Sequence, residues 1–425
     1  MDLKFSLGLL FALGAATAAQ DDKKKQGGFK PNPLIDQKRV DEAIRKGIGF
    51  LKTSDSPASH GVANSDDLKL LTFIHAGLSE QDPVFQELLK RCLEARLDKT
   101  YQVVLLAMCL EELDRVKYQS KIAACGQFLI DNQKPNGGWT YGVPSVYTEG
   151  IPTTAPRKAV DTAGGKTRPY DPALAGEKQK PKVTQKIPLK KMKEGPSERS
   201  DNSNSQYAAL GMRACHDAGI VFPKELIQKA WSYWAVQQHP AGEKGKRPAV
   251  GPDTATGGPA LVGDPRGWCY REGDETCGRG GPPYASMTSG AVGAVCIYDY
   301  MLGKDWKKDK VVLDGLAWLD KNWSVTENLH CQETAGGVPN AQLYYYLYAV
   351  ERAGMLYDTT LIGSHDWYLD GARVLLEAQK ADGSWSGSRY TSAAGVEPTW
   401  DTCFAILFLK RATRRLDVAT TSAGR

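Results

Sequence analysis

The sequence lacks, after its N-terminus, any apolar run long enough to cross a lipid bilayer, which argues against a transmembrane anchor. It has six histidines, and none of them follows His365. It contains no Asp-x-Asp-Asp motif, in which neighbouring aspartates can keep one carboxyl both protonated and strongly acidic. Its 425 residues are 41% hydrophobic, which is enough to bury the core of a large globular protein.

The N-terminus has the features of an export signal. Lys4 precedes an apolar stretch over residues 5–16, and the small residues Thr17, Ala18 and Ala19 lead into a polar segment. This pattern predicts a cleavable signal peptide over residues 1–19 and a disordered leader over 20–35. The alternative is a buried N-terminal helix. No cysteine lies near the cleavage site, which argues against a lipoprotein anchor, so we expect a secreted or periplasmic protein.

Positive charge is concentrated in one segment. The net charge is +5, yet residues 157–199 alone hold twelve Lys and Arg against five Asp and Glu. The segment is rich in Pro, Lys, Thr and Gly, which predicts a mobile loop. One hypothesis is that it contacts a polyanion or a membrane surface; the other is that it is simply solvated. It has few aromatic residues to stack on bases, so no nucleic-acid partner is predicted.

Two predicted helices end in the same motif, Gln-x-x-x-Gly-x-Trp. The glutamine can bond the free backbone groups of a neighbouring helix end, the glycine permits a tight turn, and the indole covers an apolar seam. The residues in these roles are Gln133, Gly137 and Trp139 in the first copy, and Gln379, Gly383 and Trp385 in the second. The two tryptophans are 246 residues apart, and removing apparent inserts at 143–200 and 240–283 leaves three units of 48 residues. This spacing is typical of repeats built from helical pairs.

The apolar periodicity predicts six such pairs, each with an amphipathic outer helix followed by a more apolar inner one. The pairs are 37–53 with 66–78, 83–94 with 100–113, 119–133 with 205–218, 223–238 with 285–302, 308–322 with 340–353, and 367–379 with 399–412. A ring of buried helices inside a ring of amphipathic ones can close on itself. We therefore predict an all-α (α/α)6 toroid over residues 36–413, followed by a C-terminal tail over 414–425.

The repeated motif resembles the QW repeat of squalene cyclases and other terpenoid cyclases, which protein prenyltransferase β subunits share in looser form. The run from Gln379 to Trp385, followed by the helix that starts near Trp400, is most similar to secreted bacterial proteins with prenyltransferase and squalene oxidase repeats. The resemblance covers roughly residues 36–412, apart from the inserts. It implies the toroid but not an activity, because such folds serve many chemistries.

The acid that the resemblance would imply is missing. Terpenoid cyclases of the second class protonate an alkene or epoxide with an Asp-x-Asp-Asp acid, and the aspartate-rich Mg²⁺ motif of the first class is absent too. Asp66 and Asp67 form the only adjacent aspartate pair after the leader, at a predicted helix start. We interpret the pair as N-capping, with catalysis as the alternative.

The metal site of the prenyltransferases is matched only in its first half. Asp401 and Cys403 resemble the Asp-x-Cys ligands of their zinc, but no histidine follows, and His330 or His365 would have to approach in space. We interpret Cys403 as a core residue and Asp401 as a cap, so neither a metal nor another cofactor is predicted.

Nine cysteines in an exported chain raise the question of disulfides. Cys269 and Cys277 bracket a polar, glycine-containing stretch and are the candidate bridge, and Cys331 is left over. The other six lie in predicted helices and are expected to be buried and apolar in role: Cys92, Cys109, Cys125, Cys215, Cys296 and Cys403.

The starts of the inner helices should converge at one end of the toroid, where helix dipoles also point. Aromatic, amide, hydroxyl and carboxylate groups at this end suit a glycan, a peptide or another small polar ligand; the alternative is that they are caps and core. The candidate ligand-binding residues are Tyr101, Tyr141, Asn204, Gln206, Trp268, Tyr270, Tyr284, Thr288, Gln342, Trp400 and Asp401.

A second hypothesis is an enzyme. One form is a terpenoid cyclase-like isomerase with an atypical acid, and another is a polysaccharide lyase or hydrolase, since several such enzymes use (α/α)6 toroids. A lyase would need a base and a neutralising cation, such as Tyr284 or Tyr101 near Arg271. A hydrolase would need two facing carboxylates, such as Asp66 and Asp401.

Overall fold

The computed structural model describes residues 34–58, 64–151, 180–240, 263–271, 283–329, 342–388 and 397–416. The predicted signal peptide, most of the leader, the middle of the basic insert, Cys277, His330 and Cys331 lie outside these ranges. No helix in the described ranges is both long and apolar enough to span a bilayer.

The described residues form twelve α-helices and only four short strands, which confirms that the protein is mostly helical. They are α1 (Gln37–Thr53), α2 (Asp66–Ala76), α3 (Pro83–Glu94), α4 (Thr100–Asp114), α5 (Gln119–Asn132), α6 (Asn202–Asp217), α7 (Lys224–Gln237), α8 (Ala285–Leu302), α9 (Lys310–Lys321), α10 (Leu343–Tyr357), α11 (Trp367–Ala378) and α12 (Glu397–Lys410). A short 3-10 helix spans Val146–Thr148. Strands β1 (Ile187–Pro188) and β2 (Ile220–Val221) pair in parallel, and β3 (Leu361–Ile362) pairs antiparallel with β4 (His365–Asp366).

Aspartate side chains start four of the odd-numbered helices. The carboxylates of Asp36, Asp82, Asp309 and Asp366 accept hydrogen bonds from backbone N–H groups of the first turn. These bonds satisfy donors that have no partner within the helix. The helices therefore begin close to where the sequence pattern predicts.

The even-numbered helices contact one another in a cycle. Helix α2 contacts α4, and the contacts continue through α6, α8, α10 and α12 back to α2. The odd-numbered helices pack against this cycle from α1 to α11. Every residue of α10 is buried, whereas α1 buries only one face. The core therefore lies along the even-numbered helices.

Several boundaries differ from the sequence prediction by a few residues, and two of these differences have a clear physical reason. Helix α6 starts at Asn202 rather than at residue 205, because the carboxylate of Asp201 accepts a bond from the Asn204 N–H. Helix α10 continues past Gly354 to Tyr357. A Cβ on Gly354 would lie 2.4 Å from Nε1 of Trp367, so this glycine permits close packing and does not end the helix.

The QW motifs join each helical pair to the next. Nε2 of Gln133 donates to the carbonyl of Leu226 at 2.9 Å, and Nε2 of Gln379 donates to the carbonyl of Ala43 at 2.7 Å. The second bond connects the last unit to α1, so it closes the cycle. Both glycines are required, since Gly137 and Gly383 have φ of 93° and 89° and a Cβ there would strike the backbone of the joined helix.

A third QW unit was missed in the sequence because an insert divides it. Nε2 of Gln238 donates to the carbonyls of Val311 and Arg266 at 3.0 and 3.3 Å, as the other two glutamines do to their partners. The indole of Trp268 donates to the carbonyl of Trp234 at 2.8 Å. Trp268 and Trp139 each also donate a backbone N–H to a helix hydroxyl, so Gln238 and Trp268 are equivalent to Gln133 and Trp139.

Part of the basic insert, residues 180–200, packs against the rest of the protein. Ile187 pairs with Ile220, and the ammonium of Lys180 forms ion pairs with Glu111 and Glu112. Apolar and acidic partners on the helices hold residues 180–200 in place.

Residues 411–416 form a segment that we call the C-terminal strap, although the sequence placed 414–416 in a tail. Nε of Arg414 lies 2.9 Å from a carboxylate oxygen of Glu112, and Thr413 donates through its N–H and its hydroxyl to Glu351. Arg213 donates to the carbonyls of Arg414 and Arg415. The strap therefore ties together α4, α6 and α10 near their C-terminal ends.

Candidate functional site

Three half-buried tyrosines lie where the even-numbered helices begin, and we call them the tyrosine rim: Tyr101, Tyr141 and Tyr270. The loop after each QW tryptophan crosses a helix start, since Thr100 N–H donates to the carbonyl of Tyr141 and Asn202 N–H donates to the carbonyl of Tyr270. As a result, the hydroxyls of Tyr141 and Tyr270 lie 3.3 Å apart. This part of the predicted ligand site is thus assembled from separate parts of the chain.

Asp201 connects the rim to α6. Its carboxylate accepts bonds from the Ser203 hydroxyl at 2.6 Å and from the Asn204 N–H at 2.7 Å. Oγ of Ser203 also lies 3.2 Å from the Tyr270 hydroxyl. Burial raises the pKa of Asp201 even though these hydrogen bonds act to lower it. A continuous chain of polar groups therefore runs from a buried carboxyl to a half-buried phenol.

The rim hydroxyls are hydrogen-bond donors at neutral pH. Burial raises the pKa of Tyr101 and Tyr141, as well as the pKa of Tyr270. The guanidinium of Arg271 lies 5.2 Å from the centre of the Tyr270 ring, so a positive charge is added beside the phenols. A phenol with a raised pKa keeps its proton at neutral pH and cannot accept another, so the proposed role of Tyr101 as the base of a lyase is not favoured.

Below the rim, six buried side chains meet in a central cluster: Gln206, Tyr207, Tyr345, Tyr348, Arg352 and Phe404. The Tyr101 and Tyr207 ring centres are 4.4 Å apart, and those of Tyr207 and Tyr345 are 6.3 Å apart. The Tyr101 hydroxyl lies 3.5 Å from that of Tyr345, although α4 and α10 lie on opposite sides of the cycle. The rings are in direct contact, so the middle of the cycle is filled at this level.

The two carboxylates considered for hydrolysis are both occupied. Asp66 accepts two bonds from the guanidinium of Arg91 on α3, at 2.9 and 3.0 Å, so it points toward an odd-numbered helix. Asp66 is an ion-pair partner rather than the predicted N-cap. Asp401 is fully buried and accepts the Ser388 N–H at 3.1 Å. These contacts do not support a facing pair of catalytic carboxylates.

Several predicted ligand-binding residues have structural contacts instead. Asn204 is fully buried against Asp201, and Trp268 and Thr288 belong to the third QW unit. The sequence could not distinguish these residues from the rim tyrosines, because helix caps, core positions and ligand-binding sites use the same residue types. Among the other candidates, Tyr284 is 3% exposed at the start of α8, Gln206 is in the central cluster, and Trp400 donates its indole N–H to Ser65. Gln342 is half-buried with φ of 56°.

The weak metal hypothesis gains no support. Burial raises the pKa of the Cys403 thiol to about 12, which disfavours the thiolate that binds zinc. Across the described residues, no three His, Cys, Asp or Glu side chains are grouped as metal ligands. Cys269 is buried with its sulfur 3.2 Å from the Arg271 carbonyl, but Cys277 lies outside the described ranges, so the bridge stays a prediction.

Asp201, Ser203 and most of the central cluster were not predicted from the sequence. The available signal was a stripe on α10, where Tyr345, Tyr348 and Arg352 recur at positions i, i+3 and i+7 and so share one helix face. An arginine on the same face as two tyrosines, within an otherwise apolar helix, could have been used to predict a buried polar cluster in the middle of the helix cycle.

No protein-family model and no curated protein sequence matches the chain. Among solved structures, it is similar to the apo form of the type II terpene cyclase MstE from Scytonema. The match has 9% sequence identity and a TM-score of 0.45, and it covers 88% of this chain and 99% of the cyclase. At this identity the similarity concerns the helical fold alone.

Proposed function

We propose that the protein is an exported (α/α)6 toroid that binds a polar ligand, a glycan or a peptide, at the tyrosine rim. The cyclic contacts of the even-numbered helices and the Gln379–Ala43 hydrogen bond support the closed ring. The sequence of residues 1–19 supports export. N-terminal sequencing of the mature protein tests the export signal, and an uncleaved Met1 in the exported fraction would contradict it.

The observation that carries this proposal is the contrast between the rim and the central cluster. At the rim, half-buried rings combine apolar faces with hydroxyl donors beside Arg271, which suits a sugar or a peptide backbone. Below it, tightly packed rings fill the middle of the cycle. A polyene substrate needs an apolar hollow, whereas a polar ligand needs only the rim.

A second candidate function is acid catalysis at the same rim. It is favoured by the buried carboxyl of Asp201, whose pKa is raised by burial and which is linked through Ser203 to the Tyr270 hydroxyl. A carboxyl that remains protonated nearer to neutral pH can act as a general acid. If turnover of a bound ligand is found, Asp201→Asn should abolish it while leaving binding largely intact.

Screening the mature protein on glycan and peptide arrays, with a polyprenoid set alongside, tests the main proposal. Tyr270→Ala and Tyr141→Ala should each weaken binding of the array ligand about 10-fold or more, because a stacking ring and a donor are lost. Tyr147→Ala is the control, since that tyrosine is 40% exposed on the 3-10 helix outside the rim. An array without a ligand, equal binding by the rim variants, or a polycyclic product from a polyprenoid would overturn the proposal.

A further inference from the structure

Arg352 places a positive charge in the middle of the helix cycle. The residue is 2% exposed, and it lies in the third turn of α10. Helical side chains lean toward the N-terminus, so the guanidinium extends toward the tyrosine rim. It lies 4.3 Å from the ring centre of Tyr348 and 5.2 Å from that of Tyr207. These rings stabilise the cation but offer no anionic partner.

The hydrogen bonds of this guanidinium are incomplete within the described part of the chain. Nη2 donates to Oε1 of Gln206 at 3.0 Å, whereas Nη1 has no partner among the described residues. The adjacent carboxylate, Glu351, accepts from Thr413 with both of its oxygens. A buried charge with an unsatisfied donor is unfavourable unless another group completes it.

A second unsatisfied group lies on the neighbouring helix α8. Oγ of Ser289 on α8 is fully buried and has no partner in the described ranges. Gly293 on α8 faces Leu356 on α10, because a Cβ on that glycine would lie 3.0 Å from the leucine side chain. One turn earlier, Ser289 lies on the same face of α8 and Arg352 on the same face of α10. Gly290 lies directly against Gln206, since a Cβ there would be 1.9 Å from Oε1 of Gln206. Helices α6, α8 and α10 therefore bring their polar groups together here.

We propose that Arg352 and Ser289 bind the carboxylate of an organic acid, as the deep end of the ligand site whose outer end is the tyrosine rim. One guanidinium matches the single charge of a carboxylate, whereas a phosphate group would bring close to two charges. The hydroxyl of Ser289 supplies a further donor to the same anion. This inference rests on the proposed function, and it requires the hydroxyls of Tyr101 and Tyr345, which lie 3.5 Å apart, to separate so that the ligand can pass from the rim.

Paired titrations with acetate and acetamide test the site. At constant ionic strength, sodium acetate should raise the unfolding temperature of the mature protein saturably, and the uncharged acetamide should not. Arg352→Gln should weaken the acetate response about 10-fold or more, and Ser289→Ala should weaken it less. Arg96→Gln removes an exposed arginine and should leave the response unchanged.

Crystals grown with 4-bromobenzoate, whose aryl bromide does not alkylate the protein, provide a second readout that does not depend on folding of the variants. An anomalous bromine peak beside Arg352 is expected. Equal responses to acetate and acetamide, or bromine only elsewhere, would overturn the inference. If the arrays yield a rim ligand but the acetate test fails, only the Arg352 site is contradicted. If acetate binds at Arg352 but the arrays yield no ligand, only the rim proposal is contradicted.

Discussion

At the scale of single residues, buried polar groups are the most informative feature of the molecule. Asp67, Asp201 and Glu351 are carboxyls at 3% exposure or less, and burial raises the pKa of each. Only Asp201 is bonded to a side chain that reaches the tyrosine rim. Burial alone therefore does not identify a functional acid; its connection to an accessible surface is what distinguishes Asp201.

Replacing Asp67 should reveal the cost of a buried carboxylate. Burial raises its pKa to about 7, so the native state holds a proton that the unfolded chain, with a pKa near 3.8, releases at lower pH. Stability therefore falls as the pH rises between these two values. Relative to wild type, Asp67→Asn should gain about 2–3 kcal/mol of unfolding free energy between pH 5 and pH 8.

Urea unfolding at the two pH values measures this difference. The control is Glu149→Gln, which changes an exposed carboxylate and should shift stability little at either pH. A difference between wild type and Asp67→Asn that is the same at pH 5 and pH 8 would show that Asp67 does not titrate in this range.

At the scale of elements, the QW units connect neighbouring helical pairs through one glutamine each. Gln133, Gln238 and Gln379 each donate two hydrogen bonds, one to their own loop and one to the next odd-numbered helix. The unit containing Gln238 does so even though 30 residues separate it from its tryptophan. The contacts therefore define the repeat better than the spacing does.

If Gln238 belongs to a true QW unit, its loss should cost as much as the loss of Gln133. Gln238→Ala and Gln133→Ala should each lower the free energy of unfolding by about 1–3 kcal/mol, because buried carbonyls lose their donor. Gln228→Ala, at an exposed position on α7, is the matched control and should have little effect. Chemical denaturation measures all three variants, and a Gln238→Ala protein as stable as the control would contradict the equivalence.

The sequence predicted most of the fold because apolar periodicity and aspartate caps act locally. It missed the third QW unit because the insert places Gln238 and Trp268 far apart, and the start of α6 because Asn202 to Ser205 have the composition of a loop. The candidate site was predicted only in part. Tyr101, Tyr141 and Tyr270 lie at the rim, whereas the pairing of Arg352 with Gln206 joins helices 146 residues apart and leaves no local pattern.

At the scale of the whole molecule, the C-terminal strap fastens one end of the helix cycle. Burial alone would raise the pKa of Glu112, but Lys180 and Arg414 hold it well below its usual value. Arg414→Met should therefore lower the free energy of unfolding at neutral pH by about 2–4 kcal/mol, since a buried carboxylate loses one cation. Arg373→Met, at an exposed position of α11, should change it little.

The pH dependence of this prediction has the opposite sign to that of Asp67. A lowered pKa stabilises the native state above the pKa of the unfolded chain, and this stabilisation is lost as the pH falls through the native pKa. The deficit of Arg414→Met, measured by urea unfolding, should thus shrink only in strongly acidic solution. A deficit that grows on acidification would exclude the ion pair as its cause.

The bond between Gln379 and Ala43 spans 336 positions of the chain, and the bond from Arg39 to the carbonyl of Leu376 spans 337. Helix α1 is made early in synthesis, yet it acquires these partners only after nearly all the other helices exist. Contacts so distant along the chain slow folding relative to ordinary helical bundles. Until those partners are present, the apolar face of α1 is open to association with other chains, so contacts between distant parts of the chain bring a risk of aggregation before they stabilise the fold.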